Sequence, residues 1–189
     1  MADPVRLAIV GSTAFADPHA WPAAHRLVDT LLHAHQHGIA EKGGFVVSGG
    51  AEGIDTIARE QAAALFGWTQ DNGKFVEHLP RHRRWKPDGF EARNRLIAAD
   101  CTHLARIYRP DSATYGSGWT ADLAERLGRD VRRYVWSAEL GRFVETGEAL
   151  SRLRRTVGGD GFARDRAAIR GDWGRGADDL LRGMVPRAD

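Results

Sequence analysis

Cysteine is almost absent from the 189-residue chain: Cys101 stands alone. An internal disulfide and a multi-cysteine metal site are therefore excluded, and a reducing cytoplasm is the expected compartment. No apolar run approaches the roughly 18–20 residues needed to span a bilayer, so no membrane partner is expected. Met1-Ala2-Asp3-Pro4 lacks the basic start and apolar stretch of a secretory signal. Lysine is scarce as well. Only Lys42, Lys74 and Lys86 accompany the arginines, and with a net charge of +2 the two signs are mixed along the chain. Such a balance names no nucleic-acid partner by itself. Three motifs are also missing: the G-x-G-x-x-G dinucleotide fingerprint, the G-x-x-x-x-G-K-[ST] phosphate loop and a serine nucleophile elbow. No cofactor is expected.

What is present is an ordinary globular composition, 42% hydrophobic and 28% charged, which fits one filled domain with a short appendage. The apolar run Val5–Val10 predicts a buried strand entering the loop Gly11-Ser12-Thr13. Helical spacing over Trp21–Gly38 follows, with Pro22 near the first turn. Phe45–Val47 predicts a second strand, broken by Ser48-Gly49-Gly50. A helix carrying Ile54, Ile57, Ala58, Ala62 and Leu65 then stops at Gly67. Phe75–Leu79 predicts a third strand, and the D-x-x-E form of Asp88–Glu91 a capping box opening a helix to Asp100. A strand over His103–Tyr108, a helix over Ser117–Leu127 and a strand over Val131–Trp136 complete the alternation.

Strands alternating with helices of this length mean a Rossmann-like α/β fold, a parallel sheet with helices on both faces. The domain is expected over 1–136 and an appendage over 137–189. In the appendage Arg142–Glu145 reads as a hairpin strand, with helical stretches near 149–157 and 177–184.

In such a sheet, ligands collect at the carboxyl ends of the strands. Three loops rich in glycine and hydroxyls fall there: Gly11-Ser12-Thr13, Ser48-Gly49-Gly50-Ala51-Glu52-Gly53 and Tyr115-Gly116-Ser117-Gly118-Trp119-Thr120. Glycine admits a close backbone approach, and amides at a helix start donate to anions. Main-chain donors of these loops are expected to hold a phosphate, with Arg93 forking onto it. Asn94, Asp55 and the weaker candidate Glu52 are expected to meet sugar hydroxyls or the neighbouring loop. Trp85 and Trp119 read either as stacking partners for a base or as core residues. The cluster Arg81-His82-Arg83-Arg84-Trp85-Lys86 reads as a basic lip or a solvated loop. His33 and His37 share a helix face, but no carboxylate nearby completes a metal set, and no metal is expected.

Ser48-Gly49-Gly50-Ala51-Glu52-Gly53-Ile54-Asp55-Thr56-Ile57-Ala58 resembles the S-G-x-A-x-G-I-D-x-x-A motif of the bacterial DNA-processing protein A family. Arg93-Asn94-Arg95-Leu96-Ile97-Ala98 is similar to its R-N-R-I-I-A. Gly116-Ser117-Gly118-Trp119-Thr120-Ala121, with Ala124 and Gly128-Arg129-Asp130-Val131, resembles its G-S-x-x-T-A…A…G-R-x-V. The agreement spans roughly residues 5–136. It implies a stand-alone member of the SLOG superfamily of Rossmann-like domains, which also holds the lonely-guy phosphoribohydrolases. From it follow the expectations of a nucleotide or ribose-phosphate ligand, a homodimer, and single-stranded DNA binding as a second class. Superfamily members that cleave an N-glycosidic bond carry P-G-G-x-G-T-x-x-E. Leu123 takes the place of that Glu here, with Asp122 and Glu125 out of phase beside it. Any hydrolase chemistry would then fall to Arg93, Asp122 or Glu125, so binding is favoured over turnover.

Overall fold

The computed structural model describes residues 4–41, 43–86, 88–110 and 115–146. Ten elements alternate along them: β1 (Arg6–Gly11), α1 (Ala20–Ala40), β2 (Phe45–Ser48), α2 (Ile54–Phe66), β3 (Phe75–Glu77), α3 (Phe90–Asp100), β4 (His103–Tyr108), α4 (Tyr115–Arg126), β5 (Asp130–Ser137) and β6 (Arg142–Glu145). The six strands form one sheet in the order β3-β2-β1-β4-β5-β6. All neighbours are parallel except β5 and β6, which pair as a hairpin. The architecture is the expected α/β one.

Two cores sandwich the sheet, because successive strand residues point to opposite faces. Leu7 and Ile9 of β1 pack with Val28 and Leu32 of α1 and with Ile54 and Ile57 of α2. Ala8 and Val10 pack with Ile97 and Ala98 of α3 and with Ala121 and Ala124 of α4. β1 is thus covered on both sides, which is why its sequence is a continuous apolar run rather than an alternating one. The chain steps outward from β1 through α1 and α2, then returns through α3 to place β4 on the other flank of β1. Among the described residues, no helix is long and apolar enough to cross a membrane.

Several helix ends are fixed by distant groups. Asp17 accepts the amides of His19 through its carboxylate and of Ala20 through its carbonyl, and its other oxygen takes Trp136 Nε1 at 3.0 Å. At the far end of α1, Lys74 Nζ donates to the carbonyls of Ile39, Ala40, Glu41 and Gly44 at 2.9–3.3 Å. The ammonium thereby neutralises the negative end of the helix dipole. α2 stops where expected, with Gly67 left-handed at φ 66° and the Trp68 amide reaching back to Ala62 O.

The capping box expected at Asp88 does not form. Gly89 is the residue before α3, without a side-chain cap, and Glu91 pairs instead with Arg95 at 2.6 Å and Lys86 at 3.4 Å. The first amides of α3, Phe90 and Glu91, donate to the carbonyls of Arg84 and Trp85. A basic loop thus does the capping. The sheet includes β6, so this compact unit runs to Thr146 and the expected boundary after Trp136 falls within β5. The stretches at 149–157 and 177–184 lie outside the described residues.

Candidate functional site

Connections leave β1 and β4 in opposite senses, making the gap between them the topological switch point of the sheet. A crevice of about 220 Å³ opens at that point. Val10 and Ile97 form its apolar floor, and Phe90 and Trp85 border it. Thr13, Asp55, Arg93, Asn94, Ser117 and Thr120 bring the polar groups. Residues from all three glycine-rich loops and from α3 therefore meet in one place.

The loop between β2 and α2 is organised around Asp55, which is 95% buried in the first turn of α2. Its Oδ2 accepts the amides of Gly49 at 3.0 Å and Ala51 at 3.3 Å, while the Gly50 amide donates to Ser48 Oγ at 3.1 Å. The main-chain donors expected to cradle a phosphate here are already taken by the chain's own groups. The same holds for Ser12, whose amide donates to Ile107 O. The expectation that the amides of Ser12, Gly49 and Gly50 hold the anion is corrected accordingly.

Asp55 keeps one oxygen in reserve, since Oδ1 accepts no hydrogen bond among the described residues. Burial pushes its carboxyl up to about 6, against the pull of the Ala51 amide, the Arg93 charge and the Gly49 amide. Arg93 stands on the other side of Gly49 and donates from Nη1 to Gly49 O at 2.7 Å. A Cβ on Gly49 would strike the Arg93 guanidinium and crowd Asp55 Oδ2. A side chain at this position would therefore have to push the Arg93 guanidinium off Gly49 O. Burial lowers the Arg93 pKa, and the Asp55 carboxylate opposes that shift. Arg93 Nε is buried without a partner.

On the opposite wall, α3 grips the first turn of α4. Asn94 Nδ2 and Thr120 Oγ1 both donate to Gly116 O, at 3.2 and 2.8 Å. Ser117 Oγ, at the crevice, accepts from Arg106 Nε at 3.3 Å. The Arg106 guanidinium lies 4.0 Å over the Tyr108 ring, and burial lowers its pKa. No carboxylate lies within ion-pair distance of Arg106 among the described residues. Sequence reasoning missed this residue. The available signal was a lone charge inside the apolar strand His103–Tyr108, in register with Val10 of β1.

Other expected residues are brought elsewhere. Ser12 is buried at the end of β1 and receives the Arg109 amide on its Oγ. Ser48 braces its own turn, and Glu52 is exposed outside the crevice. Gly118 lies against Arg106, where a Cβ would come to 3.2 Å. Asp122 and Glu125 point away on the outer side of α4 and both bind Arg133 at 2.9 Å. Leu123 between them is buried in the core. Trp85 and Trp119 meet edge-on with ring centres 5.7 Å apart, and Trp119 packs against the second core. Contrary to the expectation that no carboxylate lies nearby, Asp29 one turn earlier bonds His33, which also packs on Phe66, but no metal-holding group of three forms among the described residues. No protein-family model and no curated protein matches the chain.

Proposed function

We propose that the chain binds a nucleotide or ribose-phosphate in the switch-point crevice, as a cytoplasmic SLOG-type domain. The observation that carries this reading is the set of unspent polar groups around one small hollow. Asp55 offers a free acceptor oxygen for a sugar hydroxyl, and Arg93 offers guanidinium protons beside it. Across from them the first turn of α4 presents Ser117, backed by the unneutralised Arg106. A helix start with a desolvated guanidinium behind it favours a phosphate. Size narrows the choice. Ordinary ligand pockets run to roughly 300–1,000 Å³, so a hollow of about 220 Å³ suits one sugar-phosphate unit, with any larger part of a ligand lying outside it.

Binding rather than turnover is the favoured reading, because the acids flanking Leu123 bind Arg133 instead of lining the crevice. Titration calorimetry with ribose 5-phosphate and mononucleotides tests it. The expected result is saturable binding that is lost in Arg93→Ala while the fold is kept. Silence from folded protein across that panel would remove the reading. Sedimentation of the same samples tests the proposed homodimer.

A further inference from the structure

The crevice holds little net charge. Asp55 and Arg93 flank Gly49 with opposite charges, which leaves Arg106, behind Ser117, as the charge that draws one phosphate. The loop at its border is the reverse. Arg81, His82, Arg83 and Arg84 are four consecutive exposed side chains, and none forms an ion pair among the described residues. Lys86 differs, being engaged by Glu91.

This loop is held in place by its backbone. The carbonyls of Arg84 and Trp85 cap the first amides of α3, and Gly89 is buried where any Cβ would collide with Arg84 O. Asp88 at its base takes φ 54°, the only positive φ at a non-glycine among the described residues. Such a conformation persists where the surroundings impose it. Trp85, which follows Arg84, borders the crevice and meets Trp119 of α4 edge-on. The unpaired cations therefore follow directly on the wall that faces the first turn of α4.

Resting on the nucleotide reading above, we propose that the ligand carries a polyphosphate tail, its sugar seated in the crevice and its outer phosphates gripped by Arg81, Arg83 and Arg84. A single-stranded polymer fits these observations less well. It needs a row of open aromatic platforms, whereas the two tryptophans here pack against each other and the hollow takes one unit.

Calorimetry with AMP, ADP and ATP at low salt reads the tail directly. Affinity is expected to rise about tenfold for each added phosphate, and the gain to shrink steeply as salt is raised. In Arg81→Ala/Arg83→Ala/Arg84→Ala the triphosphate should fall back to the AMP value, with AMP binding unchanged. These side chains are exposed, so folding should survive, and Arg83→Glu alone should act in the same direction. Inorganic tripolyphosphate should compete with ATP on the unaltered protein and not on the triple variant. Equal affinity for AMP and ATP, or a triple variant that retains the gain, overturns this inference alone and leaves the crevice reading intact. Tighter capture of a thymidine oligonucleotide than of ATP, lost in the same variant, overturns it in favour of a polymer. Absence of binding by all three nucleotides overturns it, and silence from ribose 5-phosphate as well removes the crevice reading together with it.

Discussion

At the entry to α2 the chain runs Ser48-Gly49-Gly50-Ala51-Glu52-Gly53, and at the start of α4 it runs Gly116-Ser117-Gly118. On paper the two turns look like interchangeable anion cradles. In the first, the amides of Gly49 and Ala51 are closed by Asp55, and the Gly49 carbonyl by Arg93. The Asp55 carboxylate occupies the place where a phosphate was expected. In the second, side chains of α3 and β4 hold the turn from behind through Gly116 O and Ser117 Oγ, and its front faces the crevice. Glycine marks a place where something must come close to the backbone. It does not say whether that something is a ligand or the protein itself.

The largest effect that separates the two turns is steric. Gly49→Ala forces a Cβ into the Arg93 guanidinium and against Asp55 Oδ2 and should cost up to about 3 kcal/mol, as overpacking does. Equilibrium unfolding in denaturant measures it, and a cost below the experimental error would mean that the loop is not locked.

Asp55 gives the next largest effect, through pH. Its folded pKa of about 6 lies above the ordinary value of 3.8. Between those values the unfolded chain has lost the proton that the folded chain still holds. Stability should therefore fall as pH rises through that window and level off above about 6, by no more than roughly 3 kcal/mol for this group. Asp55→Asn keeps an acceptor for the two amides and should flatten that slope. Unfolding curves at pH 4, 5, 6 and 7 compare the two proteins, and parallel slopes would contradict the assignment.

At the second turn, Arg106→Gln should weaken a phosphate-bearing ligand about tenfold while changing stability little. Calorimetry on the variant reads both, and an unchanged affinity would remove Arg106 from the site. The smallest effect is Gly116→Ala. Its Cβ would meet only Asn94 Nδ2 at an ordinary 3.5 Å, so the exchange should be neutral or stabilising by up to about 1 kcal/mol. A loss comparable to that of Gly49→Ala would erase the contrast between the turns.

Local signals were enough for much of the fold. The doubly covered β1, the helical spacing of α1 and the left-handed stop at Gly67 each follow from a few neighbouring residues. The partners of the loops were not legible, because they come from far along the chain. Arg93 reaches Gly49 across 44 residues, and Lys74 caps α1 across more than 30. Asp88–Glu91 shows the same limit from the other side. Its local pattern favoured a capping box, but the carbonyls of Arg84 and Trp85 satisfied the α3 amides first and left Glu91 to Arg95 and Lys86. Asp55 was visible as a crevice residue, yet its turn back onto Gly49 and Ala51 depends on a geometry that only the folded loop defines.

The most direct test is a crystal structure with a mononucleotide bound. The account predicts a sugar hydroxyl against Asp55 Oδ1 and the phosphate at the first turn of α4 beside Ser117, with the bonds from Gly49 and Ala51 to Asp55 intact. A phosphate resting on the amides of Gly49–Ala51 with the Asp55 carboxylate displaced, or a nucleotide bound away from the switch point, would contradict it.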